Sequence, residues 1–292
     1  MIIRKANDVL KICEKENIPI WEVAVRYEMA ESGLSRQEIV EKMGSNFLHM
    51  KASINAGLNE RQDGVECKMF KDDAKKIMKY RETNKPLSGY VISKAVAYAL
   101  SVMEINCSMG RVVAAPTAGA SGVLPATIVS TLETLELGDD VGVNGLFTAG
   151  LVGIIIGKNA SLSGAIGGCQ AEIGSAAAMG AATAVEISGG TPKMAFDAAA
   201  IAIKSMMGLV CDPVAGLVEV PCAKRNGMGT SNALVAADMA LAGISCVIPF
   251  DEVVMAMHKV GRSMPGSLKE TAEGGVAVTP TGLRLKKEIF GE

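Results

Sequence analysis

The sequence predicts a mainly α protein in which Ala/Gly-rich central helices are buried and few short strands occur. Three observations carry this prediction. From about residue 88 to residue 243 the chain is dominated by Ala, Gly, Ser, Val and Met, with few charges. The apolar segments in that stretch run longer than ordinary strands and are rich in Ala and Met, which favours helix. Upstream, apolar residues recur at the spacing of an amphipathic helix. With 292 residues, 49% of them hydrophobic, the chain can build a sizeable core without disulfide staples.

In chain order, Asn17 with Pro19 opens one N-terminal helix, and Ser35 with Glu38 gives a capping-box signature for the next. In that second helix Ile39, Met43, Phe47, Met50 and Ile54 fall on one core-facing stripe, and His49 lies beside it. Residues 59–86 are polar and charged, a solvated linker plus a short helix. A boundary fits here, between an N-terminal helical segment, residues 1–86, and a small-residue-rich domain, residues 87–292; one continuous domain is the alternative. Further helices are expected over residues 91–105, 122–134, 164–185, 192–209 and 228–242, with Thr191 and Pro192 as an N-cap and first-turn pair. Small residues let such helices approach closely and be buried all round. Residues 216–220 are ambiguous between strand and turn, and residues 251–262, which include His258, are amphipathic.

Charge and cysteine usage narrow the function class. A net charge of -2, from 29 basic and 31 acidic residues, gives no reason to expect nucleic acid or an anionic membrane, so a small molecule is the better default. The uncharged runs at 112–132 and 141–157 are long enough for a bilayer. The first of them, however, holds Pro116, Thr117, Gly119, Ser121, Gly122, Pro125 and Thr127, so no membrane span is expected. The N-terminus passes from three apolar residues directly into charge and lacks a secretory h-region. Seven scattered cysteines do not make a secreted disulfide framework, which points to a reducing, cytoplasmic compartment.

Three cysteines lie in unusual local sequence: Cys169 after two glycines, Cys211 before Asp212-Pro213, and Cys222 after Pro221, with C-x41-C-x10-C spacing. The prolines disfavour continuous helix beside Cys211 and Cys222, and the glycines permit close backbone approach at Cys169. Burial as free thiols is the plain alternative, and it is the reading kept for Cys13, Cys67, Cys107 and Cys246. Structural zinc would call for a fourth ligand and shorter paired spacings. Three thiolates without a fourth suit a 4Fe-4S cubane in which one iron keeps a free position.

The segments that surround these residues are distinctive. They are Gly110-Arg111-Val112-Val113-Ala114-Ala115-Pro116-Thr117-Ala118-Gly119-Ala120, Asn159-Ala160-Ser161-Leu162-Ser163-Gly164, Gly168-Cys169-Gln170-Ala171-Glu172, residues 211–222, and Lys269-Glu270-Thr271-Ala272. On them the chain resembles the catalytic subunit of the iron-sulfur-dependent L-serine dehydratases, over about residues 87–278. The resemblance implies a helical, cluster-binding catalytic domain and a lyase that converts L-serine to pyruvate and ammonia without pyridoxal phosphate. It places the 4Fe-4S cluster on Cys169, Cys211 and Cys222. Single-chain members carry a second domain, so a separate beta subunit is expected as partner. Some members end in a cysteine that caps the open iron, whereas this sequence ends Ile289-Phe290-Gly291-Glu292, so capping by the tail is not expected. Ala118 stands where relatives often have Asn.

An open iron could act as a Lewis acid toward both the carboxylate and the hydroxyl of serine. Thr117, Gly119, Ala120 and Ser121, ahead of an apolar helix, are assigned to the substrate carboxylate, with a plain glycine-rich turn as the alternative. Lys158 and Glu172 stand out as charges in apolar surroundings and could pair with each other. The general base is not identified by the sequence; Lys158 and His49 are the candidates, and the partner subunit could supply it instead. Arg111, Lys224 and Arg225 could hold an anionic substrate or offset cluster charge, and Asn144 and Asn226 could hydrogen-bond around the site. The competing functions are desulfhydration of cysteine on the same cluster and a non-enzymatic interaction or membrane protein.

Overall fold

In the computed structural model, which describes residues 1–59 and 66–291, the chain is mainly helical as its composition implies. Three helices, α1 (Ala6–Glu16), α2 (Ile20–Ser32) and α3 (Arg36–Asn59), lead to α4 (Asp73–Thr83) and α5 (Gly89–Cys107). The small-residue region supplies α6 (Val123–Leu135), α7 (Asp139–Asn159), the single turn α8 (Gly164–Gly167), α9 (Ser175–Ile187), α10 (Pro192–Met206) and α11 (Cys222–Leu241). Two peripheral helices, α12 (Phe250–Ser263) and α13 (Pro280–Phe290), complete the chain. No strand forms among the described residues, and the parallel bridge between Cys211 and Lys269 is isolated. The few short strands expected from sequence are therefore replaced by turns, since Pro213 and Pro221 withhold ladder donors on either side of residues 216–220.

Helix α9 is the axis of the molecule. Every residue from Ser175 to Val185 is buried, and α6, α7, α10 and α11 pack around it. Such enclosure requires small side chains at the crossings. A Cβ placed on Gly145 of α7 would lie 2.7 Å from the Thr183 Cγ2 atom of α9, so these two helices meet nearly backbone to backbone. Among the described residues, α7 is the one helix long and apolar enough to cross a membrane. Its Leu146, Phe147, Leu151, Val152, Ile155 and Ile156 are buried within the protein instead. One hydrophobic core runs from Ile3, Val9, Ile20 and Phe47 through Ile128, Ile155 and Val185 to Ile203 and Met257.

Local signals in the sequence map onto this frame with several corrections. The Ser35–Glu38 box forms: the Ser35 N–H donates to Glu38 Oε2 at 2.9 Å and the Glu38 N–H donates to Ser35 Oγ at 3.3 Å. Thr191 caps α10 by accepting from the Met194 N–H at 3.3 Å, with Pro192 in the first turn. Asn17 does not open a helix. It closes α1 in the left-handed region, φ 52°, a conformation that asparagine tolerates better than most residues. Of the polar linker, residues 60–65 lie outside the described residues, and α4 follows. The helix expected over 164–185 is interrupted, because Gly168 takes φ 75° and turns the chain before Cys169. Cys67 and Cys107 are not free thiols but form a disulfide, their Cα atoms 5.4 Å apart where the segment ahead of α4 meets the end of α5. Cys13 and Cys246 are buried and free, as expected.

The start of α2 illustrates how helices are fastened here. Its N-cap residue, Pro19, offers no side-chain acceptor. Glu186 of α9 reaches across instead, accepting from the Ile20 N–H at 2.6 Å, the Trp21 N–H at 3.4 Å and the Thr148 hydroxyl. Burial raises the pKa of this carboxyl above the ordinary glutamate value of 4.5. The folded state therefore holds a proton more tightly than the unfolded state, and the associated stability is present below the unfolded pKa and lost as pH rises through the folded one. Glu186→Gln should thus match the wild type near pH 4 and become progressively more stable relative to it toward neutrality, measured by urea denaturation across that range.

Candidate active site

Each of the three cysteines is placed at a break in helix. Cys169 follows the Gly168 turn and begins a π-helical turn, Gln170–Gly174, that runs into α9. Cys211 lies in the loop between α10 and α11, its N–H donating to the Leu268 carbonyl at 2.9 Å and its carbonyl accepting from the Glu270 N–H at 2.8 Å. Cys222 is the first residue of α11, with Pro221 at the N-cap. All three are buried, and Cys169 and Cys222 both act electrostatically on Cys211. Burial pushes the Cys169 thiol up to about 11 and the Cys222 thiol up to about 12, and burial followed by repulsion from Cys169 raises Cys211 as well.

Buried amides hold these breaks together. Gln170, 1% exposed, donates through Nε2 to the Gly167 and Met257 carbonyls, both at 2.9 Å, and accepts from the Gly208 N–H at 2.9 Å. The Cys169 turn is thereby tied to the approach to Cys211. Asn226, fully buried, donates to the Gly119 carbonyl at 2.8 Å and the Cys222 carbonyl at 2.9 Å, while its Oδ1 accepts from the Gly122 N–H at 2.9 Å. It joins the Cys222 end to the turn at residues 117–122. Glu219, between Cys211 and Cys222 and 5% exposed, accepts from the Lys68 N–H at 3.0 Å and the Met69 N–H at 2.7 Å.

The two regions singled out in the sequence meet at Glu172. Its Oε1 accepts from the Thr117 hydroxyl at 2.8 Å, and its Oε2 lies 3.9 Å from Cys211 Sγ. Burial raises the pKa of this carboxyl. Gly119 borders the same group, since a Cβ there would be 3.6 Å from Glu172 Oε1. Among the described residues the N–H groups of Ala118 and Gly119 make no hydrogen bond, while those of Ala120 and Ser121 are used within the turn, to Thr117 and Ala118. Ser121 is fully buried and its hydroxyl donates to the Ala118 carbonyl at 2.7 Å. The turn precedes α6, as the sequence suggested.

Other expected residues lie elsewhere. Lys158 does not pair with Glu172; its Nζ donates to the Ile3 carbonyl and the Tyr27 hydroxyl, both at 2.9 Å, and lies over the Tyr27 ring. His49 is half-buried on α3, and His258 is exposed on α12. Lys224 pairs with Asp73 at 2.6 Å over the Phe70 ring, and Arg111 is exposed. The side chain of Asn144, on α7, makes no hydrogen bond among the described residues. Arg225 alone of the three cations is turned inward, toward Asp212 at 2.9 Å.

The donor set bears on which group could be held here. Among the described residues no three of His, Cys, Asp and Glu close on a single small ion. In a cubane each thiolate binds a different iron, so its ligands stand further apart than those around one ion. Three buried thiols on separate segments, each unfavourable as a thiolate when empty of a cation, fit such a cluster in number, kind and environment.

Comparison with known proteins identifies the family. The model of the family described as "Serine dehydratase alpha chain" matches residues 15–277. This chain belongs to that family. It is 47% identical over 292 residues to "Probable L-serine dehydratase, alpha chain" of Bacillus subtilis (strain 168), covering 99% of this chain and 96% of the relative. It is 42% identical over 291 residues to "L-serine dehydratase, alpha chain" of Peptoniphilus asaccharolyticus, covering 100% and 99%. Against "L-serine dehydratase 1" of Escherichia coli (strain K12) the identity is 33% over 289 residues, covering 94% of this chain but 61% of the relative. The family thus includes both alpha chains of this length and longer chains of which this one matches a part.

Glycine at position 164 is a condition of the site. A Cβ there would lie 2.5 Å from Glu172 Oε2 and 3.0 Å from Cys211 Sγ. Gly164→Ala should therefore displace both groups, at about 1–3 kcal/mol in stability for local overpacking. Turnover, measured on protein whose helical circular dichroism is unchanged, should fall by about 100-fold, as expected when reacting groups are moved by about an ångström.

Proposed function

We propose that this chain is the catalytic alpha subunit of an iron-sulfur L-serine dehydratase, which eliminates water from L-serine and releases pyruvate and ammonia. The observation that carries this reading is the convergence of Cys169, Cys211 and Cys222, remote in sequence, beside Glu172 and the Thr117 turn. Family membership and the names of full-length relatives support the substrate and the reaction.

In this reading the three cysteines hold a 4Fe-4S cluster and no pyridoxal phosphate is used. When bound, the cluster supplies a Lewis-acidic iron with a free coordination position. The protein's own residues orient the substrate and handle its protons. The Ala118 and Gly119 N–H groups, ahead of α6, are available donors for the substrate carboxylate, and the helix dipole favours an anion there. Thr117 fixes Glu172 Oε1, which leaves Oε2 on the cysteine side to hold or pass a proton. Glu172 is therefore preferred to Lys158 and His49 as the proton-handling group. A separate beta subunit completes the enzyme, in keeping with relatives named as alpha chains, and the assembly works in the cytoplasm.

The test is direct. After anaerobic reconstitution together with its beta subunit, the chain should convert serine to pyruvate and ammonia, and Cys169→Ala, Cys211→Ala and Cys222→Ala should each reduce this to background. Wild-type turnover in any one of the three would remove that residue from the cluster. Glu172→Gln should bind iron normally while losing about 10²-fold or more in kcat, the range for loss of a positioned acid or base. Unaltered kcat would assign the proton transfer to another group.

A further inference from the structure

Arg225 occupies a position that the proposed reaction does not by itself explain. It stands three residues beyond Cys222, on the first turn of α11, and its side chain points toward the Cys211 loop. There Nη1 donates to the Val210 carbonyl at 2.8 Å and lies 2.9 Å from Asp212 Oδ1, so one guanidinium grips the residues on both sides of Cys211. Its side chain is 17% exposed and that of Asp212 is 3% exposed. The Asp212 Oδ1 contact is an ion pair without hydrogen-bond alignment, while Oδ2 accepts from the Val276 N–H at 2.7 Å. Asp212 thereby anchors the C-terminal segment as well. Because Arg225 and Cys222 share the first turn of α11, these contacts tie the Cys211 loop to the Cys222 end of that helix.

We propose that Arg225 is a positioning residue for the cluster: it holds the Cys211 loop against the Cys222 end of α11 and supplies a buried positive charge beside them. The proposal rests on the cluster reading above. Its physical basis is twofold. Three thiolates around an iron-sulfur cubane leave the assembly anionic, and a buried anion needs a nearby cation. A planar guanidinium can also donate to a carbonyl while it faces a carboxylate, in a fixed fork that the point charge of a lysine cannot reproduce. Charge and geometry can therefore be separated by substitution.

The experiment compares wild type, Arg225→Lys and Arg225→Gln, each as the anaerobically reconstituted holoenzyme. Three readouts are taken: the rate of iron release to a chelator, the midpoint potential of the cluster, and the melting temperature of the apo chain. Arg225→Gln should release iron at least about tenfold faster and shift the potential to a more negative value, because loss of a nearby cation disfavours the added electron. Arg225→Lys should keep the potential near that of the wild type yet still release iron several-fold faster, since it retains charge without the fork. A purely structural role would lower the melting temperature and leave the potential in Arg225→Gln unchanged, which would overturn the proposal. Should Arg225→Gln fail to fold, Arg225→Lys decides alone, and iron release at the wild-type rate overturns it. A wild-type chain that takes up no iron would overturn the cluster reading together with this one, whereas wild-type uptake with unaltered variants would overturn this one only.

Discussion

Helix ends leave backbone N–H and C=O groups without partners, and burying several such ends around Cys169, Cys211 and Cys222 forces side chains to supply them. Gln170 and Asn226 do so, each almost wholly removed from water. An unpaired buried amide costs on the order of 1–3 kcal/mol, so the breaks can persist only where every partner is in place. The same breaks are what expose cysteine side chains to one another, because within uninterrupted parallel helices the three thiols would be held at the spacing of helix axes. Site and fold are therefore coupled at these amides rather than at the cysteines themselves.

The rest of the molecule can be understood as the frame that keeps those ends still. Helix α9, enclosed by α6, α7, α10 and α11, begins at the Cys169 turn, and α11 begins at Cys222. Two of the three cysteines thus lie at the N-terminal ends of core helices, and tight crossings such as Gly145 against Thr183 set how far those helices can slide. The third depends on a loop, which is pinned by the Cys211–Lys269 bridge, by Arg225 through Val210 and Asp212, and by the Gln170 contacts to Gly208. A rigid core supplies two fixed points, and polar side chains bring the third to them.

Much of this was legible in the sequence, and the limits are physical. The Ala/Gly-rich composition announces closely packed helices, and the Ser35–Glu38 and Thr191–Pro192 pairs mark helix starts because their chemistry is local. Cys169, Cys211 and Cys222 stand apart because the glycine and proline beside them disfavour continuous helix. What the sequence could not reveal were contacts made across long separations. Glu172 was visible only as a charge in apolar surroundings, and its pairing with Thr117 rather than Lys158 depends on where two helix ends meet. Asn226 stood out only as a polar residue beside glycine in apolar surroundings, and Gln170 carries no periodic or charge signal that would separate it from other amides. The Cys67–Cys107 disulfide was missed for a similar reason: the two cysteines are distant in sequence, and only the packing at the end of α5 brings their Cα atoms together.

The proposed function requires that the three cysteines hold a cluster with one iron left to the substrate. Mössbauer spectroscopy of the holoenzyme, reconstituted with isotopically enriched iron and recorded with and without serine, tests this most directly. It should show about four irons per chain, as for one cubane, of which one changes its parameters when serine is added. A chain that binds no cluster, or a cluster in which all irons remain unchanged by serine, would contradict it.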